Sequence, residues 1–325
     1  MIKRIVIVII VILIVLLGRG FFYYSGFYQA PTSEMPIYEQ VIAPAVPSTE
    51  FSDIYEEGEG IILIDLAHGN SFDIEELNVL TSRLVSRGLT IKLLSAEDDL
   101  KKELLGEEKK EDEVLEKGEE SNKDESLEEG KENNKEEDLE EGKENNEEED
   151  QKEKPPADAF TIVCPQEGFS NEEKETINEF VNNGGKLLLI ADPTRRGKMN
   201  SLSLDFGLIF EPDYLYNMKE NEINYRNIFV SEFKENEITK NIGKIALYTA
   251  GTITSVDGGI AFVDENTFSS LIETRRKLSP IALAQELEVL AIHDLTFLTE
   301  PYNGILDNNQ LISNIADWLT SPAEE

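Results

Sequence analysis

The chain has 325 residues, a single cysteine and a net charge of −36 from 66 acidic and 30 basic residues. One thiol excludes an intrachain disulfide and a cysteine-based zinc site. The charge argues against a nucleic-acid partner, because neutralising phosphates needs clustered Lys and Arg. The segment Glu97–Lys154 alone holds 28 acidic and 11 basic residues, so nearly half of the net charge sits in under a fifth of the chain.

Lys3 and Arg4 precede thirteen unbroken aliphatic residues, Ile5 to Leu17, followed by Arg19 and the aromatic cluster Phe21-Phe22-Tyr23-Tyr24. Thirteen residues rise only about 20 Å as a helix, short of the roughly 30 Å hydrocarbon core of a bilayer. Extended to Tyr24, the segment reaches spanning length if Arg19 snorkels and the aromatics lie at the interface. No small-x-small cleavage site follows the apolar run, so residues 1–25 are expected to form an uncleaved signal anchor. The amino group, Lys3 and Arg4 outweigh Arg19. The expected location is therefore the cytoplasmic membrane, single-pass, with the N-terminus inside and the folded part outside. Residues 26–58, with Pro31, Pro36, Pro44 and Pro47, read as an extended tether.

The folded domain is expected in two parts, residues 59–96 and 157–320. Ile61–Leu66 is a short apolar run and reads as the first strand. Ser71–Arg87 carries Ile74, Leu77, Leu80 and Leu84 on one helical face, with Asp73 and Glu76 as a capping box and Gly88 as its stop. Thr90–Leu94 is the next strand, which implies a right-handed parallel crossover. Residues 97–156 then interrupt the pattern. Leu127–Asp138 and Leu139–Asp150 agree at eleven of twelve positions, and Leu115–Ser126 is a looser copy. One Leu per repeat cannot bury a core, so this insertion is expected to be disordered or transiently helical. The spacing of its acids does not match a calcium loop.

Ala159–Cys164 resumes as a buried strand. Ser170 and Glu173 make a capping box for a helix through Asn183. Gly184-Gly185 ends that helix, and Leu187–Ala191 follows as a strand hydrophobic on both faces, stopping at Asp192-Pro193. The expected fold class is α/β: a doubly wound, mainly parallel sheet. The pattern loosens from Met199 to Glu237. Asn227–Phe233, Lys244–Thr249, Gly258–Val263 and Leu287–Ile292 read as further strands. Asp307–Leu319 reads as the last helix, with Asp307 and Gln310 as a capping box and Leu311, Ile315 and Trp318 facing the core.

Three pieces, IILIDLAHGN, FVNNGGKLLLIADP and EVLAIHDLTFL…LDNNQLISNIADWL, resemble a domain of unknown function in the class I glutamine-amidotransferase-like superfamily. Its relatives include the extracytoplasmic auxiliary component of gliding-motility-type ABC transporters. The matching positions are Gly184, Gly185 and Asp192, then Asp294 and Phe297, then Asn308, Asn314, Trp318 and Leu319, within about 210 residues outside the tether and insertion. The resemblance implies a flavodoxin-like fold, a membrane-tethered location, a possible membrane-protein partner and no known activity. His293 departs from the Ser or Ala that most relatives carry beside that Asp.

The chemistry expected of such a fold lies at the carboxyl ends of its strands. Asp65, His68, Asn70, Asp192, Arg195, His293 and Asp294 are the candidate ligand-binding residues there. Two His with carboxylates offer a divalent-metal or metal-assisted hydrolase alternative. The bland alternative is that they cap loops and helix starts, and no H-x-H or H-E-x-x-H spacing supports a metal. Cys164 ends a strand, but Pro165 after it has no N–H to donate to an oxyanion. No catalytic residue is assigned. No glycine-rich phosphate loop is present, so no cofactor is expected. The leading expectation is a non-catalytic ligand- or partner-binding scaffold.

Overall fold

A computed structural model describes residues 2–25, 51–106, 157–271, 277–284 and 288–321. The chain divides into two compact units, Met1–Val46 and Pro47–Glu325. In the first, α1 (Ile2–Tyr24) is one helix whose apolar stretch, Lys3–Tyr24, has 22 residues and mean hydropathy 3.1. It is long and apolar enough to cross a membrane. Every aliphatic side chain from Ile5 to Leu17 is exposed, an arrangement that favours lipid over water by roughly 2 kcal/mol per side chain. Most of the expected tether and the acidic repeats lie outside the described residues.

The second unit runs in chain order β1 (Gly60–Asp65), a 3-10 turn into α2 (Asn78–Ser86), β2 (Leu89–Leu94), α3 (Leu100–Leu105), β3 (Ala159–Val163), α4 (Asn171–Asn182) and β4 (Lys186–Ile190). Next come α5 (Asn200–Ser203), β5 (Leu208–Phe210), β6 (Leu215–Asn217), β7 (Asn227–Val230), β8 (Glu232–Phe233), β9 (Ile245–Tyr248) and β10 (Ile253–Ser255). The chain closes with β11 (Gly259–Phe262), β12 (Thr267–Ser269), β13 (Ile281–Ala284), β14 (Val289–Ile292) and α6 (Asn308–Thr320).

One eight-stranded sheet carries the unit, in the order β2-β1-β3-β4-β14-β13-β11-β8. Its first five strands are parallel, and β13, β11 and β8 continue it antiparallel. Alternate residues of a strand face opposite sides, and the two faces are separate cores. Leu188 and Ile190 pack with α2 and α6 on one side, while Leu187 and Leu189 pack with α3 and α4 on the other. That double burial explains why β3 and β4 read as unbroken apolar runs. Three two-stranded ribbons, β5–β10, β6–β12 and β7–β9, lie outside this sheet.

Several local expectations meet a different outcome. The insertion does not begin at Glu97: Asp99 caps α3 through the amides of Lys101 and Lys102, and Leu104 is fully buried. The expected Asp307 capping box is not made. The Asp307 carboxylate instead accepts from the amides of Gly243 and Lys244 at 2.8 and 2.9 Å. The Ser170–Glu173 box does form, with Ser170 N–H donating to Glu173 at 2.7 Å and Glu173 N–H to Ser170 Oγ at 3.3 Å.

The end of the expected tether is part of the folded unit. Phe51 and Tyr55 lie against the guanidinium groups of Arg83 and Arg87, at 4.7 and 4.6 Å from the ring centroids. Asp53 pairs with both arginines. Gly58 N–H donates to the Arg87 carbonyl at 2.7 Å, and a side chain at Gly88, which has φ +92°, would meet Gly58 O at 2.3 Å.

Candidate functional site

Asp65 ends β1, Cys164 follows β3, Asp192 follows β4, and His293-Asp294 follow β14. These four parallel strands are neighbours in the order β1-β3-β4-β14, so their carboxyl ends form one continuous edge. Ligands of open α/β sheets bind at that edge. The side chains there fall into two separate groups.

The first group surrounds His68. Asp65, fully buried, accepts from His68 Nδ1 at 3.0 Å, from Asn70 Nδ2 at 3.1 Å and from the Ala67 amide at 3.1 Å. His68 Nε2 lies 3.4 Å from Glu173 Oε1, and the ring stacks on Phe169 at 3.8 Å between centroids. Asn70 also donates to the Val163 carbonyl at 2.8 Å, tying this loop to β3. Both nitrogens of His68 therefore face carboxylates. Burial opposes charge on the ring, but the hydrogen bond and charge of Asp65, then those of Glu173, outweigh it and raise the pKa above the ordinary 6.5. A raised imidazole pKa contributes stability that is complete below 6.5 and is lost as pH rises through the folded value. His68→Gln is expected to cost about 1–2 kcal/mol at pH 5.5 and progressively less toward pH 9, read by urea denaturation across pH. A cost that grows with pH would contradict this assignment.

The second group lines a cleft of about 470 Å³ bounded by Cys164, Asp192, Phe210, Asp213, Tyr214 and His293, among others. Its floor comes from the sheet edge and one wall from Phe210–Tyr214, the end of β5 and the loop after it. His293 is 4% exposed. Its Nδ1 lies 3.2 Å from the Thr252 carbonyl and its ring meets Phe210 edge-on at 5.1 Å. A carbonyl only accepts, so Nδ1 carries the proton and Nε2 is the bare nitrogen. Burial holds this imidazole below its ordinary pKa, against the Thr252 bond and the charges of Asp213 and Asp192. Gly251 is required beside it: a Cβ there would lie 2.3 Å from His293 Nδ1.

Asp192 braces the loop after β4, accepting from the Thr194 amide at 2.8 Å and the Leu295 amide at 3.2 Å. Arg195 lines the cleft but is committed elsewhere. It donates to Glu76 Oε2 at 2.8 Å and to the Ser71 carbonyl at 2.6 Å. Asp294 is fully buried and accepts from the amides of Tyr248 and Thr296 at 2.7 and 2.8 Å. Burial, then the charge of Asp192, pushes its carboxyl well above the ordinary range. Asp294 thus joins β9 to the loop after β14 and is not among the cleft-lining residues.

The structure brings Asp192, Arg195 and His293 to one cleft, and Asp65, His68 and Asn70 to another cluster. The two imidazoles share no hydrogen-bond partner among the described residues. Among the described residues no group of three or more His, Cys, Asp and Glu side chains is arranged to hold a metal ion, so the metal-assisted hydrolase alternative has no ligand set there. Cys164 closes β3 with φ +44°, yet burial, then Asp192, pushes its thiol up to about 12. The thiolate is the nucleophile, so native Cys164 is expected to react with iodoacetamide about 100-fold or more slowly than the urea-unfolded chain. Equal rates would overturn that view of the site.

Two contributors were not foreseen. Asp213 accepts from Thr252 N–H and Oγ1, each at 2.8 Å, and from Ser269 Oγ. Glu173, expected only as a cap, also serves His68. No sequence spacing points to Asp213, because its partners lie 39 and 56 residues away.

No protein-family model and no curated protein matches the chain. Among solved structures, the N-terminal domain of mmIFT52 is similar at 13% identity with a TM-score of 0.56, over 81% of this chain and 99% of that one. At that identity the likeness concerns the fold alone. An exo-beta-1,4-mannosidase, Op5Man5 from Opitutaceae bacterium strain TAV5, aligns at 11% identity and a TM-score of 0.36, over 81% of this chain and 36% of the mannosidase.

Proposed function

We propose that this chain is a membrane-anchored, non-catalytic binding domain of the amidotransferase-like type, held in the cytoplasmic membrane by α1 with its folded unit outside. Its fold, on this reading, is flavodoxin-like and doubly wound. The order β2-β1-β3-β4-β14 among the parallel strands follows the 2-1-3-4-5 pattern of that fold, and helices cover both faces. The orientation rests on Lys3 and Arg4 outweighing Arg19. A membrane protein, such as a transport component, is the partner the resemblance implies.

The observation that carries the binding role is the cleft itself. It has the size of a small-molecule site and sits at the strand ends, yet its thiol is held protonated and is followed by a proline. A screen of small ligands by saturation-transfer NMR on the full-length chain in neutral detergent tests it. Gly197 lines the cleft, and its nearest neighbour to an added Cβ is Pro165 O at 3.4 Å, so Gly197→Phe fills the space without a backbone clash. Ligands of the native chain are expected to vanish in this variant while its melting temperature stays within about 2 °C. Hits that survive the filled cleft would refute the assignment.

A further inference from the structure

The cleft wall built around His293 is chemically one-sided. His293, whose side chain is only 4% exposed, lines it. Among the described residues the ring's hydrogen bond runs through Nδ1 to Thr252, which leaves Nε2 of this cleft-lining ring with a lone pair and no proton. Two carboxylates, Asp213 and Asp192, act on the same ring through their charge and line the same cleft. Asn200, which also lines it, has its amide committed to the backbone of Phe210 at 2.8 Å on both sides. Arg195 is committed to Glu76 and Ser71, and its charge, shared with Glu76, also reaches Asp192; Glu211 adds a third carboxylate to the lining. Arg196 is the remaining cation of the lining, and it is exposed, where water and salt screen it. The buried wall therefore presents acceptors and negative charge, beside the ring of Phe210. Such a wall is satisfied by a donor that carries positive charge.

We propose that the cleft takes an organic cation bearing N–H donors, a primary ammonium or a guanidinium, with His293 Nε2 accepting one hydrogen bond and Asp192 and Asp213 neutralising the charge. This inference rests on the binding role proposed above and specifies its ligand. The preference over a metal ion follows from geometry, since no three-ligand group is present among the described residues. The preference over an anion follows from the wall's own carboxylates, which would repel one. A neutral alcohol could meet Nε2 but would leave the carboxylate field unanswered.

The test is isothermal titration of the full-length chain in neutral detergent at 0.15 M salt. The probes are butylammonium and butylguanidinium, with butanol and butyrate as isosteric controls. At least one cation is expected to saturate a single site, His293→Phe to weaken it at least tenfold, and Asp192→Asn at least threefold. Cation binding that His293→Phe leaves intact would mean attraction to the acidic surface and would overturn the inference. Saturable binding of butanol or butyrate without the cations would overturn the cation preference while leaving the binding role standing. Silence from all four probes would overturn the cation preference too, and the Gly197→Phe screen separately decides the broader role. If His293→Phe does not fold, the native chain still answers. The ¹⁵N signal of His293 Nε2 must move on titration with the cation, and a stationary signal counts against the proposal.

Discussion

Arg87→Met is expected to destabilise the folded unit by about 3 kcal/mol, the low end of the cost of breaking a buried ion pair by removing one partner. Arg87 is fully buried. Its Nε donates to Asp317 at 2.7 Å, and its terminal nitrogens reach Asp53 at 3.1 Å and Ser313 Oγ at 2.9 Å. The low end applies because Asp53 and Asp317 are 24% and 46% exposed and can be hydrated once the cation is gone. Burial raises the pKa of Asp53, but its hydrogen bonds to Arg87 and Ser313 and the charges of Arg87 and Arg83 outweigh that and hold it below 3.8. A depressed carboxyl pKa gives stability present above 3.8 and lost as pH falls through the folded value. The penalty of Arg87→Met is therefore expected to shrink in acid. Urea melts at pH 7 and pH 3 measure it; a loss below about 1 kcal/mol at pH 7, or one that grows in acid, would contradict the network. Residues 51–58 should also become sensitive to protease, since Asp53 and Tyr55 lose the group they dock on.

Trp318→Ala is expected to cost about 4 kcal/mol, within the range for removing a large aromatic from a core. Trp318 is the largest fully buried side chain and lies on α6 in the core shared with α2 and the sheet. The ring also carries Lys186 Nζ, 5.4 Å from its centroid. Lys186 is itself 4% exposed and pairs with Glu288 at 3.2 Å. Losing the indole thus removes contacts and leaves a buried ammonium with less cover. For a unit of this size the melting temperature should fall by roughly 8–16 °C. Trp318 is the only tryptophan, so circular dichroism rather than fluorescence must follow the variant. A fall of 3 °C or less would mean that α6 is not closing this core.

The parallel half of the sheet was legible because its strands are buried on both faces. Runs such as Phe160–Val163 and Leu187–Ile190 leave little room for another reading, and Gly184 and the Ser170–Glu173 box mark where α4 ends and begins. Val289–Ile292 was foreseen with these runs. The antiparallel half was partly legible: Gly259–Phe262 was foreseen and Glu232–Phe233 fell within an expected strand, but β13 was not. It is only four residues long, and Ser279-Pro280 marks its start while nothing comparable marks its end. Both strands of the β7–β9 ribbon were foreseen, but the other two ribbons were hardest to read. Strands of three residues such as Leu208–Phe210 and Ile253–Ser255 are too short to display a period, and their pairing spans more than forty residues. Asp307 shows the limit of local motifs. Its spacing to Gln310 suits a cap, yet the amides of Gly243 and Lys244, far away in sequence, claim its carboxylate. The site follows the same rule. His68 and its partners Asp65 and Asn70 lie within five residues of one another and could be grouped by eye. The cleft around His293 could not be assembled, because Asp213, Thr252 and Phe210 come from the ribbons.

The ¹⁵N side-chain spectrum of the native chain at pH 7 tests the account most directly. The chain has two histidines, so both can be assigned with one variant. His293 is predicted to be neutral, with Nδ1 protonated and Nε2 bare, and His68 to titrate above its ordinary pKa. A His293 that is protonated on Nε2, or that titrates like a free imidazole, would contradict the cleft as described and remove the acceptor on which its ligand binding depends.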